Sequence, residues 1–276
     1  MRGSRGNLVD FPKNIKAYIQ VRSRQESYQR IRYFDGVPNW GDHINPYLIK
    51  KITGKTILQS TFGMTEHLLA VGSILRSANS NSIVWGSGFI SKKSKFRSVP
   101  KLIAAVRGPL TGARLEELGA NDPGVYGDPA LLMPRFYMPK KVKKYRVGLV
   151  AHYAEKKDYS VHYLSSLGVK LIDIQLPVEE FLDKLCQCET IISSSLHGLI
   201  AADSYGIPSR WLTLSNKLIG GEFKFQDYYS AIGSFNQNPL LLPEIMSINS
   251  LAELEESTSK KEINLDLNKL EAAFPI

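Results

Sequence analysis

Short apolar runs with strand character recur along the chain, separated by amphipathic segments: IKAYIQV, HLLAVG, SIVWGSG and KLIAAVRG, then YRVGLVAHY, VKLIDIQ, ETIISSS and SRWLTL. Strands that alternate with helices bury both faces most readily in parallel sheets covered by those helices, so the pattern predicts an α/β fold. Between the two sets lies MPRFYMPKKVKKY, where Pro134, Pro139 and a lysine cluster break the alternation. With 276 residues the chain exceeds the usual single-domain length, and we expect two units, 1–138 and 139–276.

Helix signals fall in step with this reading. Asp42 can cap HINPYLIKKI, which Gly54 closes; Pro109 suits the first turn of LTGARLEEL, which Gly119 closes; Gly206 and Pro208 end a helix that contains His197. Residues 247–264 read as polar loop, and LNKLEAAF as a last short helix.

Composition narrows the class. Hydrophobic residues make up 43% of the chain and charged ones 22%, the balance of a folded soluble protein. The formal charge of +9 favours anionic partners, yet the densest basic runs, 91–97 and 139–146, read as solvated loops. Cys186 and Cys188 are too few and too close for a disulfide framework or a zinc site, so buried thiols are expected. His43, His67, His152 and His162 show no paired ligand spacing, and no metal site is expected. No apolar run approaches the ~20 residues needed to span a bilayer and no signal-peptide core is seen, which predicts a cytoplasmic protein.

Four short signals stand at predicted strand ends or helix starts: NWGD at 39–42, VRGPLT at 106–111, GDPALL at 127–132 and SSSLHG at 193–198. Ligands of open α/β sheets sit outside the carboxyl ends of strands, and helix starts present unpaired N–H groups, so anion binding explains the set jointly. WGSGF at 85–89 permits close approach of a ligand or of another loop. Arg107 can fork onto a carboxylate or phosphate; its competing explanation is a structural ion pair. Asp42 can orient a hydroxyl, although capping its own helix explains it fully, and Asp128 reads as a structural turn residue. His197, flanked by Ser195 and Gly198, is the acid/base candidate, with a bound anion favouring its charged form.

At these residues the sequence resembles the polysaccharide pyruvyl transferase family. The resemblance rests on NWGDHINPYLIKKITGK, VRGPLTGARLEELG, YGDPALLMP and SSSLHGLIAADSYGIP, in that order, from residue 39 to 208, with LEAAFPI at the end. It implies a GT-B-like fold, two Rossmann-like domains facing a central cleft. The N-terminal domain would take the acceptor and the C-terminal domain the donor, with the last helix packing back on the first.

The implied reaction moves the pyruvyl group of phosphoenolpyruvate, a co-substrate with no other cofactor, onto a hexose of an exopolysaccharide or capsular repeat as a cyclic ketal. By the family pattern His197 is catalytic. Arg107, Ser194, Ser195, Leu196, His197 and Gly198 hold the donor, and Asn39 and Asp42 face the acceptor. Some members carry arginine where this chain has Ser195, which either throws donor affinity onto Arg107, Arg210 or Lys217 or leaves a degraded donor site. The implied partner is a lipid-linked oligosaccharide reached at the inner membrane face, where the basic surface meets anionic lipid; nucleic acid is not expected. A nucleotide-sugar glycosyltransferase of the same shape and a noncatalytic glycan-binding homologue are the competing readings.

Overall fold

The structure is a computed structural model that describes residues 27–61, 63–140, 142–215 and 220–275. Two five-stranded parallel sheets organise it. The first comprises β1 (Tyr28–Ile31), β2 (Thr56–Gln59), β3 (His67–Leu69), β4 (Ser82–Trp85) and β5 (Leu102–Ala105) in the order β2-β1-β3-β4-β5. The second comprises β6 (Tyr145–Val150), β7 (Lys170–Leu171), β8 (Cys188–Ser193), β9 (Ser209–Thr213) and β10 (Leu240–Leu241) in the order β10-β9-β8-β6-β7. The expected α/β class is therefore found. IKAYIQV lies outside the described residues, while YQRI and TILQ, which carry no strand pattern, pair as β1 and β2.

Helices make most of the crossovers between parallel strands, while β3, β4 and β5 are joined by loops and the 3-10 turn Leu75–Ser77. In chain order they are α1 (Trp40–Thr53), α2 (Pro109–Glu117), α3 (Tyr159–Ser166), α4 (Val178–Cys186), α5 (Leu196–Ser204), α6 (Phe223–Ala231), α7 (Leu242–Ser247), α8 (Leu251–Glu256) and α9 (Leu267–Ala272). The stretch read as polar loop thus carries α8, begun by Ser250, whose side chain accepts from Glu253 N.

Helix α1 begins earlier than expected. Its cap is Asn39, whose side chain accepts from the Asp42 N–H, so Asp42 lies inside the first turn rather than capping it. A helical residue at position 46 would normally bond the carbonyl of Asp42, but Pro46 has no N–H. Asn45 makes up the loss: its Nδ2 donates to the carbonyls of Gly41 and Asp42, and also to that of Val71 at 3.1 Å. Its Oδ1 accepts from the Val71 N–H at 2.9 Å, tying the helix start to the end of β3. Gly54 closes the helix in the left-handed region at φ 67°, where a side chain would be strained.

The two halves share apolar packing. One buried cluster joins Ile31, Trp40 and Trp85 to Val150, Ile191, Leu199 and Trp211. In α4, Val178, Phe181, Leu182 and Leu185 form the i, i+3, i+4, i+7 stripe of a helix with one buried face. Trp40 packs on Phe181 with ring centroids 5.2 Å apart and donates its backbone N–H to the Ile174 carbonyl at 2.7 Å. The C-terminal helix α9 returns to the first half: Trp85 Nε1 donates to the Leu270 carbonyl at 2.8 Å, and Arg135 pairs with Glu271. Cys186 and Cys188 are buried and unbridged. Among the described residues no helix is long and apolar enough to cross a membrane.

Candidate functional site

Strand β8 ends at Ser193, and the chain turns through Ser194 and Ser195 into α5, so His197 stands in the first turn of that helix. The turn is tight because Ser193 Oγ shares its one proton between the carbonyls of Val150 at 2.7 Å and Ser195 at 2.9 Å and accepts the Ser195 N–H at 3.0 Å. Ser194 Oγ accepts the His152 N–H at 3.0 Å, which joins the end of β6 to the same turn. Gly198 serves packing: a Cβ there would fall 2.4 Å from Ser193 Oγ and 2.8 Å from Val150 Cγ1. Leu196 is buried in the shared apolar cluster. Ser195 occupies the cap position without a side-chain bond to the helix, so its hydroxyl satisfies none of the first-turn N–H groups.

Three separate segments meet at the His197 ring. The side chain is 16% exposed, and its Nε2 lies 3.8 Å from Asp128 Oδ2. Neither atom has a hydrogen-bond partner among the described residues. Asp128 is held in place by its other oxygen, which accepts the Ala130 N–H at 3.0 Å and caps the short 3-10 turn Pro129–Arg135. The turn role expected for Asp128 is therefore present, and one buried carboxylate oxygen is left over for the imidazole.

On the other side of the ring lies Gly41, where a Cβ would sit 1.9 Å from His197 Nδ1. Only glycine allows α1 and the imidazole to approach this closely. The next residue, Asp42, is buried, and its carboxylate accepts from Asn39 Nδ2. Burial pushes its pKa up to about 6, with the charge of His197 and the Asn39 hydrogen bond opposing the rise. Asn39, Asp42 and His197 are thus brought together, joined by Asp128.

Two further groups belong here that motif reading passes over. His152 and Tyr153 follow β6 with ring centroids 4.2 Å apart and planes tilted by 33°. Burial first, then the charges of Lys224 and His197, lower the His152 pKa to about 4, so its ring is neutral at pH 7. Its Nδ1 accepts the Ala154 N–H at 3.3 Å, which leaves the ring proton on Nε2. Burial of Tyr153 and the charge of Asp42 raise the phenol pKa. The sequence signal for both residues is their place at the end of the strand-like run YRVGLVAHY.

Arg107 belongs elsewhere. It is fully buried, with Nε on Asp227 Oδ2 at 2.9 Å, Nη1 on Ser73 Oγ and Nη2 on the Phe89 carbonyl, both at 2.6 Å. This is the structural ion pair, not a fork open to a donor. The start of α2 is occupied in the same way: Asp227 Oδ1 accepts the Thr111 N–H at 2.8 Å and Oδ2 the Thr111 hydroxyl at 2.7 Å. VRGPLT does bind an anion, but the anion is the protein's own carboxylate, brought by α6. Gly108 makes room for it, since a Cβ there would lie 1.9 Å from the Asp227 carbonyl oxygen.

WGSGF is likewise a packing turn: a Cβ at Gly86 would strike Pro129 and one at Gly88 would strike the Arg107 guanidinium. Arg210, the second cation considered, is partly buried on β9 with Nε lacking a hydrogen-bond partner, and Lys217 lies outside the described residues. A cavity of about 420 Å³ lined by Lys92, Lys93, Leu110, Phe223 and Gln226 contains none of the predicted site residues. Among the described residues no group of three or more histidine, cysteine or acidic side chains is placed to hold a metal ion.

The profile of the family described as polysaccharide pyruvyl transferase matches residues 22–216. An uncharacterised protein of Acanthamoeba polyphaga mimivirus is 28% identical over 245 residues, covering 83% of this chain and 84% of its own length. The succinoglycan biosynthesis protein ExoV of Rhizobium meliloti is 28% identical over 212 residues, covering 71% of this chain and 62% of its own length. A crystal structure of an uncharacterised Klebsiella pneumoniae protein aligns with 82% of this chain and 95% of that one, at 13% identity and a TM-score of 0.42.

Proposed function

The chain belongs to the polysaccharide pyruvyl transferase family, and from that premise we propose that it moves the pyruvyl group of phosphoenolpyruvate onto a sugar of a polysaccharide repeat unit as a cyclic ketal. The observation that carries this reading is the arrangement at His197: an imidazole nitrogen without a hydrogen-bond partner, 3.8 Å from a carboxylate oxygen equally without one, beside the buried carboxylate of Asp42.

The chemistry needs such groups. One acceptor hydroxyl loses its proton and attacks C2 of the donor, while a proton is delivered to the methylene carbon, which becomes the methyl group. Phosphate then leaves with the C2–O bond electrons, the second hydroxyl adds at C2, and its proton departs to base or phosphate. His197 is the proton donor to carbon, with Asp128 stabilising its charged form across the 3.8 Å gap. Asp42, made more basic by burial, accepts the hydroxyl proton, and Asn39 holds that carboxylate in place. The start of α5, which Ser195 leaves without a side-chain cap, receives the donor carboxylate, with Ser194 and Gly198 shaping the turn.

In this account the acceptor enters against α1 and the donor against the second sheet, in a GT-B-like arrangement. The formal charge of +9 suits an acceptor carried on an anionic membrane surface. The test is incubation with phosphoenolpyruvate and a panel of terminal hexosides, read by mass spectrometry for the pyruvyl adduct and by release of inorganic phosphate. Adduct and phosphate in equal amounts support the reading. Phosphate release without adduct, or turnover only of a nucleotide sugar, overturns it.

A further inference from the structure

From Ile90 to Leu115 the chain carries seven basic residues and no aspartate or glutamate. Three of the seven have acidic partners: Lys101 pairs with Glu66, Arg107 with Asp227 and Arg114 with Glu117. Lys92, Lys93, Lys95 and Arg97 are exposed, and among the described residues none of them makes an ion pair. The run is nevertheless held in place. Ser94 turns back on Ser91, its N–H donating to that carbonyl at 3.0 Å, and Phe96 stacks on Phe89 with ring centroids 6.4 Å apart. Arg114 Nε, on α2, donates to the Ser94 carbonyl at 3.0 Å.

What these lysines frame is apolar. Lys92 and Lys93 edge the cavity of about 420 Å³, whose other walls include Leu110, in the first turn of α2, and Phe223 and Gln226 of α6. Phe223 stands one turn before Asp227, which is bonded to Thr111, so α6 and the start of α2 are fixed against each other. Leu110 leaves 39% of its surface in water. Lysine stems are apolar and only their heads need water or an anion, so Lys92 and Lys93 extend the apolar surface while charging its rim. The other basic run, 139–146, is placed differently: Lys143 donates to the Cys188 carbonyl and Arg146 pairs with Glu255, at the amino ends of β8 and β6. Lys140, Val142 and Lys144 are exposed there, which makes that run a fair control.

We propose that this face, Lys92, Lys93 and Lys95 around Leu110 and Phe223, docks the protein on an anionic membrane surface. An apolar depression with a cationic rim matches the boundary of such a bilayer, where acyl chains lie beneath phosphate headgroups. The headgroups meet the ammonium rim, and Leu110 enters the interface between them. Neither the cavity nor its rim includes a residue of the His197 site, so the assignment stands apart from the reaction. Docked this way, the membrane lies at the carboxyl edge of the first sheet, the edge that also carries Asn39 and Asp42.

The test is sedimentation of the full chain with vesicles of phosphatidylcholine alone and of phosphatidylcholine mixed with phosphatidylglycerol. Three variants are compared with wild type, and thermal melting confirms that each folds: Lys92→Glu with Lys93→Glu, Leu110→Gln, and as control Lys140→Glu with Lys144→Glu, which changes the net charge equally. Wild type should sediment with the mixed vesicles and not with the neutral ones, and should be released by high salt. Reversing Lys92 and Lys93 should weaken binding at least about 30-fold, the scale of two lost lysine–surface attractions. Leu110→Gln should weaken it about 3–10-fold through lost apolar burial, and the control should bind nearly as well as wild type. Absence of wild-type binding to the mixed vesicles overturns the proposal, as does equal binding by wild type and the folded Lys92, Lys93 variant. Equal losses in that variant and in the control overturn it too, because net charge and not this face would then govern binding. A dimer that the Lys92, Lys93 variant abolishes, without vesicle binding, gives the face to a second copy of the chain and contradicts the membrane assignment. Should Lys92→Glu with Lys93→Glu not fold, Lys92→Gln with Lys93→Gln takes its place, and undiminished vesicle binding by it overturns the proposal.

Discussion

His197 Nε2 and Asp128 Oδ2 face each other at 3.8 Å, each buried and each without a hydrogen bond among the described residues. Such a pair is costly if it has nothing to do, since a buried polar atom left unsatisfied costs roughly 1–3 kcal/mol. Asp128→Asn should therefore fold normally, because the Ala130 cap needs only an acceptor oxygen. It should lose about 10–1,000-fold in turnover, as the imidazolium loses its counter-charge. Thermal melting and steady-state rates check both halves.

Gly41 separates a steric role from a chemical one. A methyl group 1.9 Å from His197 Nδ1 cannot be accommodated without moving the ring. Gly41→Ala should fold, with a modest drop in melting temperature, and turn over at least about 10²-fold more slowly, on the scale expected for a misplaced acid/base group. Ring displacement can be followed by the His197 imidazole signals in NMR spectra.

Asp42 makes a prediction about pH. Its folded pKa, about 6, lies above the ordinary carboxylate value, so the folded state holds its proton more tightly than the unfolded chain between about pH 4 and 6. Its protonated form therefore favours folding at low pH, and that contribution is lost as pH rises through about 6. Asp42→Asn should raise the melting temperature at pH 7–8 relative to wild type, and raise it less at pH 4. If Asp42 is the base, kcat/KM in wild type should climb with pH through about 6, and the variant should lose that limb along with most of its activity.

Arg107→Met tests the correction to the sequence reading. Removing one partner of a fully buried ion pair leaves Asp227 uncompensated and should cost about 3–5 kcal/mol of stability. Denaturant unfolding should show that loss, and Arg107→Met with Asp227→Asn should recover part of it. A folded, fully stable Arg107→Met with weakened donor binding would restore the ligand role.

The outcome at Arg107 shows how far the chain could be read. VRGPLT carries the signature of an anion site, and it is one; that the anion is Asp227, 120 positions later, is a tertiary fact with no local trace. His197 was visible because a strand, three serines and a helix start surround it. Asp128 was visible only as a turn residue, because its second oxygen matters through a residue 69 positions away. Strand β1 was missed for a related reason: only Ile31 of its four residues is buried, so its place inside the sheet depends on pairing with β2 and β3 rather than on alternation. His152 lacks any motif and becomes a site candidate only when the end of β6 is joined to the turn before His197.

The central claim is that His197 transfers the proton in pyruvyl transfer, and His197→Gln tests it most directly. Glutamine keeps a hydrogen-bonding side chain but cannot titrate near neutrality. The account predicts a folded protein that binds phosphoenolpyruvate nearly as well as wild type and forms pyruvyl adduct about 10²–10⁴-fold more slowly. A folded His197→Gln that forms the adduct at close to the wild-type rate would contradict it.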